Sequence, residues 1–387
     1  MEIVKLKAED YNDALDFLDF VFSKAYAPTH FGKMLPLLYQ PTDEHMKHNF
    51  AVRENGRIRG IVGLFPAKVK VGNETLNLEG IGGVSAHPDD RGKGWMKLLM
   101  NRAIEEMKAT DTDLSFLIGL RQRYQYFGYE KAGTLLEYKV SQTNVRHFFN
   151  DHSDGHPLQL IPIRSGDLSY IKKAKSLHDR QPIYCERPLK DFWLYLLSGN
   201  TMPWIALQSD GKAVGYLVTN EKKDRITEIF ADDNAVFSEM IRSWFLQQSI
   251  DQSSFFLAPW QNDYARFLGK IAEEFCFTDN GNWRIYNWEK VVKSLLNVKN
   301  ESCNLLNGSL LIGIKDYGTL KITVQNKEVE CKKSDDLPDV EWDTFIATRI
   351  IFGHIPAAYV EEIPDEIKHL LKSWFPLPLC WLIQNYV

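Results

Sequence analysis

Cysteine is scarce in these 387 residues. The five (Cys185, Cys276, Cys303, Cys331 and Cys380) are odd in number and scattered. None forms a Cys-x-x-Cys pair or a Cys/His spacing of the metal-binding kind. That argues against a disulfide framework, predicts no structural metal, and fits a reduced, cytoplasmic setting. Long apolar runs are missing too, and none approaches the ~20 residues that cross a bilayer. The opening "MEIVKLKAEDYNDAL" is charged and amphipathic, unlike a secretory leader. Basic excess is absent: 46 Lys and Arg stand against 51 Asp and Glu, a net charge of −5. Such a balance argues against broad nucleic-acid binding and is compatible with cationic partners. No GxxxxGK[ST] occurs, which excludes a nucleotide P-loop, and "GIGG" at residues 80–83 makes no dinucleotide fingerprint.

What is present is a globular composition, 44% hydrophobic and 25% charged, in a chain long enough for two or three domains. Tyr11, Ala14, Leu15, Leu18, Val21 and Phe22 recur on one helical face. Turn signals at Asn55-Gly56 and Gly72-Asn73 then divide residues 49–88 into an antiparallel meander. Met96, Leu99, Met100, Ala103, Ile104 and Met107 mark a second amphipathic helix, followed by the strand "LSFLIGL", the aromatic "RYQYFGYEKAG" and a last strand "LLEYKVS". This order predicts an α/β fold around one mixed sheet. A faint repeat follows: Ala51, Gly56 and Gly60 share their spacing with Ala206, Gly211 and Gly215, and a strand and amphipathic helix come after. Asp232 and Asp233 precede that second helix, where carboxylates cap a helix but repel phosphate. Beyond Trp288 come strands with Asn/Gly turns, a helix starting near Asp339, and an apolar tail, "LLKSWFPLPLCWLIQNYV".

The most informative stretch is "GVSAHPDDRGKGWMKLLM". A helix N-terminus carries unpaired N–H groups and the positive end of the peptide dipole, so it attracts anions. Gly92 and Gly94 let the backbone wrap closely round a phosphate, and Arg91 and Lys93 add charge at the rim.

Strand, Arg-Gly-Lys-Gly loop, helix, strand and aromatic "FGY" together resemble the GNAT superfamily of N-acetyltransferases over residues 1–140. The resemblance implies acetyl-CoA as cosubstrate, with no metal. Its pantetheine arm would face Val84, Ser85 and Ala86 on a strand that splays from its neighbour. Its pyrophosphate would lie on Arg91, Gly92, Lys93, Gly94, Trp95, Met96 and Lys97; Asp89 stands where the family opens this loop with Gln or Arg. The whole chain is similar to the enhanced-intracellular-survival (Eis) branch. That likeness implies tandem GNAT domains over residues 1–145 and 146–292, the second degenerate, and a sterol-carrier-protein-like domain over 293–387. Gly119 and Leu120 fall at further coenzyme contacts, and the branch allows homo-oligomers.

The same resemblance implies direct transfer, in a ternary complex, to a primary amine: an aminoglycoside- or polyamine-like cation, or a lysine side chain. Tyr124 aligns with the general acid, and a phenol near pKa 10 can protonate a thiolate near 8.5 at little cost. The terminal carboxylate, here that of Val387, aligns with the general base, although its ordinary pKa is low for that task. Glu79, upstream on the coenzyme strand, and His87, at its end, are the alternative bases. A reading from another class makes the protein a non-enzymatic carrier or sensor of an apolar ligand, with a vestigial acetyl-CoA site.

Overall fold

The computed structural model describes residues 1–25, 27–150 and 155–387, and its chain divides into two units. The first contains Met1–Gly133, Asp279–Leu379 and Val387; the second contains Thr134–Thr278 and Cys380–Tyr386.

The first unit begins with β1 (Glu2–Lys5), α1 (Tyr11–Ala25), α2 (Phe31–Met34) and α3 (Asp43–Met46). The meander is β2 (Asn49–Glu54), β3 (Arg57–Val71) and β4 (Glu74–Ala86). Asn55, Gly56 and Gly72 take φ of 51°, 75° and 56°, the left-handed geometry that tight hairpins need. Then come α4 (Trp95–Ala109), β5 (Leu114–Leu117), α5 (Arg121–Gln125) and β6 (Glu130–Lys131).

The second unit comprises β7 (Leu135–Ser141), α6 (Gln142–Asn150), β8 (Gln159–Pro162), α7 (Leu168–His178), β9 (Ile183–Cys185) and α8 (Phe192–Leu197). It continues with β10 (Thr201–Leu207), β11 (Ala213–Asn220), β12 (Arg225–Ala231), α9 (Asn234–Gln247), β13 (Gln252–Leu257), α10 (Asn262–Leu268) and β14 (Glu274–Thr278). Its sheet runs β14-β7-β13-β12-β11-β10-β8. The chain then re-enters the first unit with β15 (Asn282–Ile285) and α11 (Trp288–Ser302). A four-stranded sheet follows, β16 (Gly308–Ile314), β17 (Gly318–Gln325), β18 (Glu328–Ser334) and β19 (Val340–Trp342), with α12 (Thr344–Phe352) and α13 (Lys368–Trp374).

In the first sheet β1 to β5 lie side by side, then β15 and β6. β4 and β5 are parallel, with α4 between them in the chain, and Leu99, Met100 and Ala103 of α4 pack on Val62, Leu64 and Ile81. The second unit repeats this arrangement: β12 and β13 pair in parallel around α9. There the Asp233 side chain accepts from Val236 N at 2.8 Å, and Asp232 pairs with Lys173 and Arg180, so the carboxylates occupy the helix mouth.

Two expectations change. "LLEYKVS" is β7, which pairs with β13 and β14 in the second sheet, while β15 takes the place beside β5. Alternating apolar residues suit either sheet, so the pattern could not choose between them. The late helix starts at Thr344, capped by the Asp343 side chain on Ile346 N at 2.8 Å. Asp339 instead accepts from Leu311 N and leads into β19, which pairs with β16.

Candidate active site

β4 is where the site is built. It pairs with β5 only from Leu78 opposite Leu114 to Ile81 opposite Leu117. From there it runs on to Ala86 with β3 on one side and no ladder partner on the other among the described residues. The β3 register also slips: Ile61 faces Ser85, yet Gly63 faces Gly82, so β4 carries one extra residue. Gly83 sits in this bulge at φ 59°, and bulges of this kind bend a strand and re-aim its backbone. β4 therefore runs on from Gly82 to Ala86 with no ladder partner on its β5 side among the described residues. Val84 is half-buried against the α4 core, and Ser85 turns its hydroxyl back to donate to the Gly83 carbonyl at 2.9 Å.

Past the strand, Pro88–Asp90 makes a turn and Arg91–Gly94 lead into α4. Gly92 and Gly94 have φ of 91° and 81°, with open space within 4 Å of where a Cβ would stand. Their conformation, not crowding, requires glycine. The amides of Gly92, Gly94, Trp95, Met96 and Lys97 donate to no group among the described residues. Asp90 beneath them is buried, bonded to Arg59 and 2.8 Å from Lys93 Nζ. Those two hydrogen bonds hold its carboxyl well below the usual range. Lys93 also reaches Glu54 at 3.2 Å, so its ammonium is committed to the loop itself. Arg91 is exposed, and Lys97 Nζ lies 4.9 Å from the centre of the Tyr126 ring.

Tyr124 lies on α5, beyond the end of β5, and is buried. Its ring rests on Gly119, where a Cβ would come within 2.2 Å of Tyr124 Cε2. The helix is pinned by Arg121, whose Nε and Nη2 donate to the buried Glu130 at 2.5 and 2.7 Å, and by Gln125 on the same carboxylate at 2.9 Å. Asn282 donates to the Gly119 carbonyl at 3.0 Å, and Leu120 is exposed.

Val387 lies against the glycines of β4. A Cβ on Gly80 would come within 2.6 Å of Val387 Cγ2, and one on Gly82 within 2.4 Å of the Val387 carbonyl carbon. This is the point at which β4 and β5 part. Around it lie Leu18, Phe31, Tyr39 and Phe65. The Tyr39 hydroxyl and Asn49 Oδ1 are buried there with no hydrogen-bond partner among the described residues. The "GIGG" run that a motif search sets aside is thus the bed of Val387.

The two alternative bases lie elsewhere. Side chains alternate along a strand, so Glu79 faces the α4 side, opposite Val387, together with Ile81. Its Oε2 is buried and has no hydrogen-bond partner among the described residues, and burial, then the Glu106 charge, push its carboxyl up to about 7. Ser115 bridges there from the Tyr129 hydroxyl at 2.7 Å to the Glu79 carbonyl oxygen at 2.6 Å. His87 sits in the turn, with Nδ1 accepting from Asp89 N at 3.3 Å and its ring beside Phe17 and Phe20. Five residues of strand separate it from Gly82, about 16 Å.

Residues 2–132 match the family described as "Acetyltransferase (GNAT) domain". Along the whole chain the fold is similar to a GCN5-related N-acetyltransferase from Kribbella flavida, at 14% identity, 100% of both chains and a TM-score of 0.69. A GCN5-related N-acetyltransferase from Anabaena variabilis gives 15%, 99% of each chain and 0.67. Eis1 from Mycobacterium abscessus gives 10%, 100% of both chains and 0.66. No curated protein matches the sequence. Residues 2–132 thus form an acetyltransferase domain, and the chain is an enzyme of that kind.

Proposed function

We propose that this acetyltransferase moves the acetyl group of acetyl-CoA directly onto a primary amine, with Val387 supplying the base and Tyr124 the acid. One observation carries the reading: the Val387 carbonyl carbon lies on Gly82 where β4 leaves β5, the gap in which an acyl thioester would be held.

The chain's groups suit such a cosubstrate. Five undirected amides at Gly92 and Gly94–Lys97, with Arg91 beside them, match a diphosphate. The β4 edge at Val84–Ala86, without a partner on the β5 side, matches the amide-rich pantetheine arm, and Gly119 and Leu120 follow the end of β5. Acetyl-CoA supplies an activated acyl thioester. Lys93 stiffens the loop, its ammonium lying 2.8 Å from the Asp90 carboxylate and its amide donating to the Asp90 carbonyl at 3.1 Å. Tyr124 delivers the proton that the departing thiolate needs. The Val387 carboxylate takes a proton from the amine, a role for which Glu79 and His87 are poorly placed. The acceptor in this reading is a cationic primary amine, such as an aminoglycoside- or polyamine-like amine, or a lysine side chain. In the same reading the four-stranded sheet with α12 and α13 is the sterol-carrier-like part.

Calorimetric titration with acetyl-CoA, followed by thiol release over a panel of amines, tests this. Binding with turnover on cationic primary amines is expected. Tight binding with no turnover on any amine would favour the carrier reading instead.

A further inference from the structure

β15 enters the first sheet between β5 and β6, so Asn282 stands opposite Leu117 on one side and Lys131 on the other. Those two residues bound the loop that carries Tyr124. Neighbouring strands lie about 4.8 Å apart, so β15 holds the two feet of that loop about 10 Å from one another. The strand lies outside the residues 2–132 that match the acetyltransferase family.

Two side chains of β15 then reach the loop itself. Asn282 is wholly buried, and its Nδ2 donates to the Gly119 carbonyl at 3.0 Å and the Leu117 carbonyl at 3.4 Å. Arg284 Nη1 donates to the Phe127 carbonyl at 2.6 Å, and a Cβ on Gly128 would come within 3.2 Å of its Cζ. One residue thus grips the loop just after β5, the other just before β6. Between these points runs α5, and Glu130, which pins that helix, stands opposite Trp283 of the same strand. Gly119 is the floor under the Tyr124 ring, so fixing its carbonyl fixes the seat of the phenol. The Tyr124 carbonyl accepts from Phe127 N at 2.9 Å, which couples its backbone to the end that Arg284 holds.

Asn282 is a poor choice for stability alone. Its Oδ1 is buried with no hydrogen-bond partner among the described residues, and an unpaired buried acceptor is unfavourable. What the amide supplies is direction, since its donors end on the carbonyls that lead to the Tyr124 seat.

We propose that Asn282 and Arg284 are positioning residues for Tyr124, acting through the two ends of the Gly119–Gly128 loop; this rests on the reading of Tyr124 as the acid. The placement of the acid thereby depends on a strand that follows the second unit in the chain.

A double-mutant cycle tests this, read as kcat for thiol release at saturating acetyl-CoA and amine. Asn282→Ala and, separately, Arg284→Met should lower kcat about tenfold or more, up to the roughly 100-fold that a misplacement of about 1 Å causes. In a Tyr124→Phe background the same substitutions should change kcat by less than about twofold, because a hydroxyl already removed cannot be misplaced. Arg284 is only half-buried, so Arg284→Met decides the matter if Asn282→Ala does not fold. Wild-type kcat in either single variant would overturn the role of that residue and leave the acid reading standing. Losses that recur in full in the Tyr124→Phe background would do the same. Wild-type kcat in Tyr124→Phe alone would overturn the acid reading, and the positioning role with it.

Discussion

Replacing Gly82 by alanine tests the placement of Val387 most directly. The new methyl would stand 2.4 Å from the Val387 carbonyl carbon and 2.8 Å from its oxygen. Carbon atoms prefer about 3.5 Å or more, so the carboxylate must retreat by about 1 Å. A shift of that size costs about 100-fold in rate, about 2.7 kcal/mol on the barrier. Gly80→Ala is the matched control, because its methyl meets the Val387 side chain instead, at 2.6 Å from Cγ2 and 3.0 Å from Cγ1. Trimming that side chain with Val387→Ala removes both clashing atoms. Activity lost in Gly80→Ala should therefore return in Gly80→Ala/Val387→Ala, whereas Gly82→Ala/Val387→Ala should stay impaired. The assay is steady-state thiol release at saturating acetyl-CoA, with affinity measured separately by calorimetry. Wild-type kcat in Gly82→Ala, or equal behaviour of the two double variants, would refute the argument.

Other perturbations reach the remaining parts of the site and the buried titratable groups. Gly92→Val and Gly94→Val force a side chain into left-handed backbone, at about 1–2 kcal/mol each, and should weaken acetyl-CoA binding about tenfold or more; an unchanged Kd would deny the loop its role. Tyr124→Phe should cut kcat and spare acetyl-CoA affinity, and full turnover would remove the acid. Glu79 binds its proton more tightly folded, near 7, than unfolded, near 4.5, so its contribution is full below 4.5 and lost as pH rises through 7. Those 2.5 pH units, at about 1.4 kcal/mol each, set a ceiling of about 3.5 kcal/mol, and Glu79→Gln should flatten urea-derived stability over that range. His178 runs the other way: burial, then Arg187, lower it to about 4, so stability is full above 6.5 and lost as pH falls through 4. His178→Leu should protect against acid unfolding, and an unaltered acid limb would show that the imidazole is not the trigger.

The parts of this protein legible in its sequence are those whose physics is local. The glycine-rich loop and the apolar stripe of α4 lie within 20 residues, so spacing alone reveals the left-handed glycine turn and the helix behind it. The hairpin turns at Asn55-Gly56 and Gly72-Asn73 are readable for the same reason. Gly80 and Gly82 are opaque, because the atoms that forbid a side chain there belong to Val387, more than 300 positions away. Family likeness, not the residues, pointed to that terminal group. The wholly buried ion pair of Arg187 with Glu228 in the second unit is opaque in the same way: 41 residues separate the partners, and no periodicity links them. Glu79 and Val387 look like rival bases on paper, and only strand alternation puts them on opposite faces of β4.

The exchange of β7 for β15 has a consequence for how the chain is made. β5 receives its outer neighbour only when Asn282 arrives to face Leu117, 165 residues later. At about 5–20 residues per second on the ribosome, that edge waits roughly ten to thirty seconds with its peptide groups uncovered. A fragment ending near residue 133 would keep that edge uncovered, whereas one extending past residue 285 carries the strand that covers it.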